Sequence, residues 1–348
     1  MLNIEALNIQ KNSCSFIPKQ QIMNTQQNLN KLFYEHASEI INRNDKIFYS
    51  HDSLLIYHYC ELDTCSQIIQ NQNLRASDIR FMNDPQEFNY GIDLMKEILA
   101  TKKGEFCDNA QPLLNAFEEK LNSSDIRSLI QRFIVCFSKE KNLPNQWKRY
   151  GDNYSGIAIG FEPNKLLGSL YHTPHGYYVV YDRKEQEREI VEILENSINF
   201  FSKKGILNKP ASLEGCILSL VNLIGFLIPR YKAKENGNDK WYLEQEYRLV
   251  YSLDFARKEM FGSELKLEQS GKQYLELYSL SNRDKEDKCE TQLSIKLNIQ
   301  EIIVGSKLDF EFEKNKIESL LEAKGYNKDE IDIKQSACSS DSRLFKNQ

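Results

Sequence analysis

The sequence predicts an α+β fold, on three observations. Short apolar, β-prone runs at 54–60 (LLIYHYC), 133–138 (FIVCFS) and 156–161 (GIAIGF) are bounded by turn residues. Longer stretches at 184–203 and 211–228 have the length and apolar spacing of helices. The two kinds of segment come in blocks, and a doubly wound parallel sheet would alternate them strictly.

Taken in order, residues 1–25 are polar and rich in Asn and Gln, a frayed lead-in. Leu29, Leu32, Phe33, Ile40 and Ile41 recur at helical spacing over 26–44. Residues 1–50 are thus read as a lead-in and helix, and 51–340 as one domain with helical insertions at about 84–131 and 184–230. A strand at 54–60 precedes a helix at 64–72 with Asp63 as its N-cap. Asn83-Asp84-Pro85 is a helix start, with Glu87 as a capping-box partner, and that helix runs to about residue 100. Helices near 111–121 and 124–131 follow, then the strand 133–138, a short helix at 144–150 closed by Gly151, and strands at 156–161 and 177–181. After the helices 184–203 and 211–228 come strands at about 245–252, 274–280, 291–297 and 300–304, a helix at 309–325 and a last strand at 330–334. There is no internal repeat.

The chain has 348 residues, 41% apolar and 27% charged, an ordinary globular balance. Its net charge of −5 offers no general attraction to nucleic acid or to an anionic membrane, though a local basic surface stays open. The N-terminus lacks the basic and apolar regions of a signal peptide. The longest apolar run, 216–229, has 14 residues and reads as a buried helix, too short to span a membrane. Eight scattered cysteines without a CxxC or Cys/His cluster disfavour zinc and a disulfide framework, and a reducing cytoplasm is the expected setting.

Residues 241–250 (WYLEQEYRLV) hold the most informative pattern. In a strand Glu244, Glu246 and Arg248 would point to one face, which is either exposed or lines a cleft. His58 lies on the first strand, opposite in direction to Tyr57 and Tyr59. Ser138 ends an apolar strand. Each of these has a plain structural reading, which is the stronger one when the motif is taken alone. Arg75, Ser77 and Arg80 fall in a polar loop able to meet a phosphate. Trp147 and Tyr150 share a short helix, free either to stack on a base or nicotinamide ring or to pack on the sheet. No GxGxxG, Walker, HExxH or GxSxG motif is present, which disfavours the usual nucleotide enzymes.

The order of these motifs resembles a bacterial family labelled domain of unknown function 2971. They run from Tyr57-His58-Tyr59 to Leu74-Arg75, Asn83-Asp84-Pro85-Gln86-Glu87 and Cys136-Phe137-Ser138. The series continues with Trp147-x-x-Tyr150-Gly151-Asp152, the strand 156–161 and Trp241-Tyr242-x-Glu244-x-Glu246-Tyr247-Arg248. The resemblance spans about 54–340. That family is in turn similar to the ADP-ribosyltransferase superfamily, which implies a split, mixed or antiparallel β core with flanking helices, and NAD as the cofactor cleaved at its nicotinamide bond. Carried over, His58 would bond an NAD ribose hydroxyl, Ser138 would support it, Glu246 would be the catalytic glutamate and Glu244 would serve the acceptor. Tyr59, Arg75, Arg80, Trp147 and Tyr150 fall on the cofactor side. His58 stands where arginine-specific members have Arg, so the acceptor class stays open. No metal is implied.

The expected function is therefore transfer of ADP-ribose from NAD to a macromolecule, nucleic acid or protein. It would suit an intracellular toxin or anti-phage effector, with an antitoxin or regulatory partner and no membrane. The alternatives are an NAD glycohydrolase and a catalytically inactive NAD or nucleotide sensor. Lys139, Lys141, Lys148 and Arg149 form a basic group beside the Ser138 strand, read first as solvated loop residues.

Overall fold

A computed structural model of the chain describes residues 19–48, 54–82, 84, 86–170, 175–207, 209–235, 240–252, 265–267, 272–278 and 296–338. The expected lead-in before residue 19, Asn83, Pro85, and the expected strand residues 279–280 and 291–295 lie outside them.

The architecture is α+β, built on one mixed, mostly antiparallel open sheet. Its strands are β1 (Ile56–Cys60), β2 (Asn73–Asp78), β3 (Arg132–Ser138), β4 (Ile157–Phe161), β5 (His175–Tyr178), β6 (Glu246–Ser252), β7 (Leu265–Leu267), β8 (Gln273–Tyr278), β9 (Ile299–Val304) and β10 (Asp332–Gln335). The main path runs β10-β9-β4-β1-β3-β2-β8-β7, and β6 pairs with both β3 and β5. Only β9 and β10 pair in parallel among these ladders.

β3 is the branch point. One edge pairs with β6 along its whole length, from Arg132 opposite Ser252 to Ser138 opposite Glu246. The other edge is shared: Ser138 meets Tyr57 of β1, while Ile134 and Phe133 meet Ser77 and Asp78 of β2. Between those contacts β1 and β2 diverge, and the Cys136 carbonyl accepts from the His58 ring nitrogen Nδ1 at 3.0 Å instead. A buried backbone carbonyl needs a partner, and the histidine supplies it where the ladder opens.

Helices cover both faces, which explains why β3 and β6 are buried along almost their whole length. On one face Ile134, Tyr177 and Val250 pack under α1 (Lys19–Arg43), α2 (Asp45–Phe48), α4 (Glu87–Lys102), α5 (Gln111–Asn122), α6 (Ile126–Leu129), α9 (Arg183–Lys203) and α10 (Pro210–Leu227). On the other, Phe133, Val135, Phe137, Tyr247 and Leu249 join residues of α3 (Leu62–Asn71), α8 (Pro163–Ser169) and α11 (Phe310–Ala323). A smaller cluster gathers Tyr57, Tyr59, Tyr154 and Ile303 around Trp147 of α7 (Pro144–Arg149). Local chemistry marks several helix starts. Asp182 accepts from Glu185 N–H at 2.9 Å to begin α9, Asp309 caps α11, and proline opens α7, α8 and α10.

Four sequence expectations change. Arg75 and Ser77 lie in strand β2, not in a loop, and Arg80 lies in the 3₁₀ turn after it. α3 starts at Leu62 with Glu61 at the N-cap position, so Asp63 sits inside the first turn. Glu87 does not close a capping box; its carboxylate points into the core and pairs with Arg248. The apolar segment is also longer than its central run: Pro210–Arg230 has 21 residues and is long and apolar enough to cross a membrane, with 61% of its apolar window buried. Its side chains fill the first core cluster.

Candidate functional site

Glu246 begins β6, but Glu244 does not share the strand. It ends a 3₁₀ turn, Trp241–Glu244, and Gln245 adopts a left-handed φ of 46° between the two carboxylates. The chain reverses its local twist there, yet the side chains still converge, because Lys232 lies between them. Its ammonium Nζ donates to Glu244 Oε2 at 2.8 Å and to Glu246 Oε1 at 2.5 Å. Arg248 donates to Glu246 Oε2 from Nε at 2.8 Å and Nη2 at 2.6 Å, and from Nη1 to the Pro229 carbonyl at 2.7 Å. Arg248 also meets Glu87, whose second oxygen lies 4.0 Å from Lys232.

The face carrying these charges is neither exposed nor an open cleft. Arg248 is 0% exposed, Glu244 2%, Glu87 3%, Lys232 4% and Glu246 5%. Three carboxylates thus face two fully buried cations, an excess of one negative charge. Isolated burial of a charge is prohibitive, so the excess is removed by protonation or by a further cation. A raised pKa and a further cation both meet Glu244. Burial, and then the adjacent Glu246 charge, push its carboxyl up to about 7. Arg149, whose side chain is 39% exposed, approaches Glu244 Oε1 at 3.5 Å, and the Tyr150 hydroxyl donates to the same oxygen at 3.3 Å. Burial acts against ionisation of Glu246 too, but Arg248 and Lys232 outweigh it and hold its carboxyl far below the usual range. Burial raises Glu87.

Backbone contacts fix the Glu244 turn against β3 and α7. The Ser138 hydroxyl donates to the Glu244 carbonyl at 2.9 Å, and the Lys139 N–H donates to the Gln245 carbonyl at 2.9 Å. Ser138, Glu244, Glu246 and Tyr150 therefore meet at one end of β6. Trp241 joins them at the rim, with Arg149 4.8 Å and Lys232 4.3 Å from its ring centroid.

Other residues assigned to NAD by resemblance lie elsewhere. His58 alternates away from Tyr57, the partner of Ser138, so it projects to the opposite sheet face, beside Phe137 at 5.6 Å. Burial lowers its pKa. Trp147 is 0% exposed and stands edge-on to Tyr59, 5.0 Å away, so its ring is a core element. The Tyr59 hydroxyl is occupied by the Glu140 carbonyl at 2.8 Å. Arg80 clamps Asp78 with both ends of its guanidinium, and Arg75 lies over Tyr274, 4.2 Å from the ring centroid. As folded, the expected and rim residues that lie beside the glutamates are Arg149, Tyr150, Trp241 and Ser138. The wider set, His58 above all, does not converge on them.

Lys232 and Glu87 belong to the cluster but have no sequence signature of their own. The available signal was charge balance: two buried glutamates at the start of a strand require cations, and one arginine is too few. Which lysine answers is decided by the path of the chain after α10.

No curated protein and no solved structure matches the chain significantly. A family model does match, over a stretch that omits the motifs around His58, Glu87 and Ser138 but holds the end of α7 from Gln146, Lys232, both glutamates and Arg248. Residues 146–249 match the family described as "Protein of unknown function (DUF2971)", which supports the family assignment drawn from the order of the motifs.

Proposed function

We propose that the protein is an NAD-dependent ADP-ribosyltransferase, with a macromolecule as acceptor, working at the Glu244 end of β6. The observation that carries this reading is the unequal pair: Lys232 and Arg248 each bond an oxygen of Glu246 and favour its ionised form, while Glu244 meets only Lys232 among the buried cations and burial pushes its carboxyl up to about 7. A group poised near neutrality is suited to take a proton from an acceptor hydroxyl or amide. A fixed anion next to it suits the oxocarbenium-like charge that develops when a glycosidic bond to ribose breaks. Arg149 and Trp241 at the rim suit a pyrophosphate and a flat ring. Lys232 fills the space between the glutamates, so turnover requires its ammonium to move aside.

The test is full-length protein with labelled NAD and cell lysate, followed by separate RNase and protease digestion. The expected result is nicotinamide release with label on one class of macromolecule. Glu246→Gln should slow both by about a hundredfold or more, the usual cost of losing a preorganised electrostatic group. Glu244→Gln, which leaves Lys232 and Glu246 paired, should abolish the rise in rate near neutral pH. Equal activity of folded Glu246→Gln would overturn the proposal, and free ADP-ribose without labelled macromolecule would make the protein a glycohydrolase instead. Toxicity on expression that disappears with Glu246→Ala would add the toxin role.

A second reading, a silent NAD or nucleotide sensor, is favoured by one feature. Both oxygens of Glu246 are taken by Lys232 and Arg248 and only 5% of the residue is exposed. NAD binding by calorimetry without nicotinamide release over long incubation would select it.

A further inference from the structure

The described segments that build the rim, 139–150, 232–235 and 240–245, carry an exposed charge opposite in sign to that of the chain. Lys139, Lys141, Lys148, Arg149, Lys234 and Lys240 are exposed there, against two exposed carboxylates among the described residues, Glu140 and Glu235. The segments form one surface: Lys139 N–H bonds the Gln245 carbonyl, while Gln146, Arg149 and Tyr150 all reach Glu244. A cluster of lysines alone is only a solvated face. Here the cations are interleaved with rings that remain partly accessible. Lys139 lies 5.5 Å from the Tyr178 ring centroid, Lys234 5.4 Å from that of Tyr242, and Arg149 4.8 Å from that of Trp241. Leu243, 42% exposed, adds an apolar spot beside Tyr242.

We propose that this rim is a binding surface for single-stranded nucleic acid. Phosphates suit the lysines, and unpaired bases suit the tyrosine, tryptophan and guanidinium planes, a combination that tolerates any sequence. A duplex hides its bases and offers only phosphates, so it binds less tightly than an open strand. An acidic peptide matches the charge but leaves the rings without stacking partners. Where the ADP-ribosyltransferase reading holds, and this part rests on it, the bound strand is the acceptor, carried past Glu244. Binding itself needs neither NAD nor turnover.

The experiment is fluorescence anisotropy on the full-length protein with labelled oligo(U) and oligo(dT) of about twelve nucleotides, enough to cover such a site. A duplex of equal length and a poly-glutamate peptide serve as competitors. Open strands should bind, and the logarithm of the affinity should fall with the logarithm of salt at a slope of about −3, as for roughly four phosphate contacts on a single strand. Lys139→Glu combined with Lys148→Glu and Lys240→Glu should weaken binding at least tenfold, whereas Lys314→Glu with Lys316→Glu on α11 should not. Thermal melting identifies any variant that fails to fold, and the Lys→Gln set then replaces it. No binding at low salt, equal loss from the α11 variant, or preference for poly-glutamate overturns the inference. Oligonucleotide binding without NAD turnover would refute the enzymatic proposal and leave the surface intact. Turnover onto protein without oligonucleotide binding would do the reverse.

Discussion

Glu244 and Glu246 are the same residue type two positions apart, and their surroundings shift their pKa values in opposite directions. Glu246 has a buried cation on each oxygen, so its loss leaves Arg248 and Lys232 under-compensated. Removing one partner of such a cluster costs about 3–5 kcal/mol. Arg248→Met should therefore lower unfolding stability by roughly that amount, read as a shift of the urea midpoint, and Glu246→Gln by somewhat less because it keeps shape and part of the hydrogen bonding. Glu244→Gln should be mild, since Lys232 retains Glu246 and the partly exposed Arg149 turns to water. An Arg248→Met protein as stable as wild type would show that the cluster does not hold the strand. Leu or Met in place of both Glu87 and Arg248 should recover only part of the loss, because it removes one of the two carboxylates that Arg248 pairs with and leaves Glu246 with Lys232 alone.

At the scale of elements, the key feature is the join between the 3₁₀ turn Trp241–Glu244 and β6. Gln245 sits in the left-handed region with its side chain exposed and its carbonyl bonded to Lys139 N–H. A side chain there costs about 1–2 kcal/mol relative to glycine, and most with a β-branched residue. Gln245→Val should thus be less stable than Gln245→Gly by about that amount, and the valine should also perturb the Glu244 titration, measurable by carboxyl-labelled NMR. This join also marks where the sequence was legible and where it was not. Periodicity located α9, α10, β3, β4 and β6, because those elements repeat an apolar pattern against a core, and a helix-start signal located α4. Periodicity put Glu244 in phase with Glu246 as a strand neighbour, since a period of two cannot register one residue with positive φ. It likewise assigned Glu87 to a cap, for the local motif is the same whether the carboxylate turns to the backbone or to Arg248. Ser138, grouped with the glutamates through the resemblance, is brought beside Glu246 because β3 pairs with β6. His58 is not, because which face a residue occupies depends on β1 joining β3 only at Tyr57.

Across the whole molecule, two buried groups on separate elements respond to pH with opposite sign. His36 of α1 packs against Phe200 and Phe201 of α9, and its Nδ1 lies 2.7 Å from the Ser219 hydroxyl of α10. Burial lowers its pKa from 6.5 to about 3, so the unfolded chain binds more protons in that interval, and the stability His36 contributes is lost as pH falls through it. Glu244 is the reverse case: its carboxyl rises from 4.5 to about 7, the folded chain holds the extra proton, and stability falls as pH rises across that interval. The two terms oppose each other between about 4.5 and 6.5. Glu246 stays ionised in the fold throughout this range and belongs to neither term. Wild-type stability should therefore vary less there than that of either single variant. Relative to wild type, Glu244→Gln should show stability rising more steeply with pH, and His36→Leu stability falling more steeply, by urea denaturation at matched ionic strength. Because the two groups share no partner, the double variant should show the sum of the two changes. Slopes of the same sign in the two single variants would mean that one of the assignments, the neutral histidine under α1 or the carboxyl titrating near neutrality beside Lys232, is wrong.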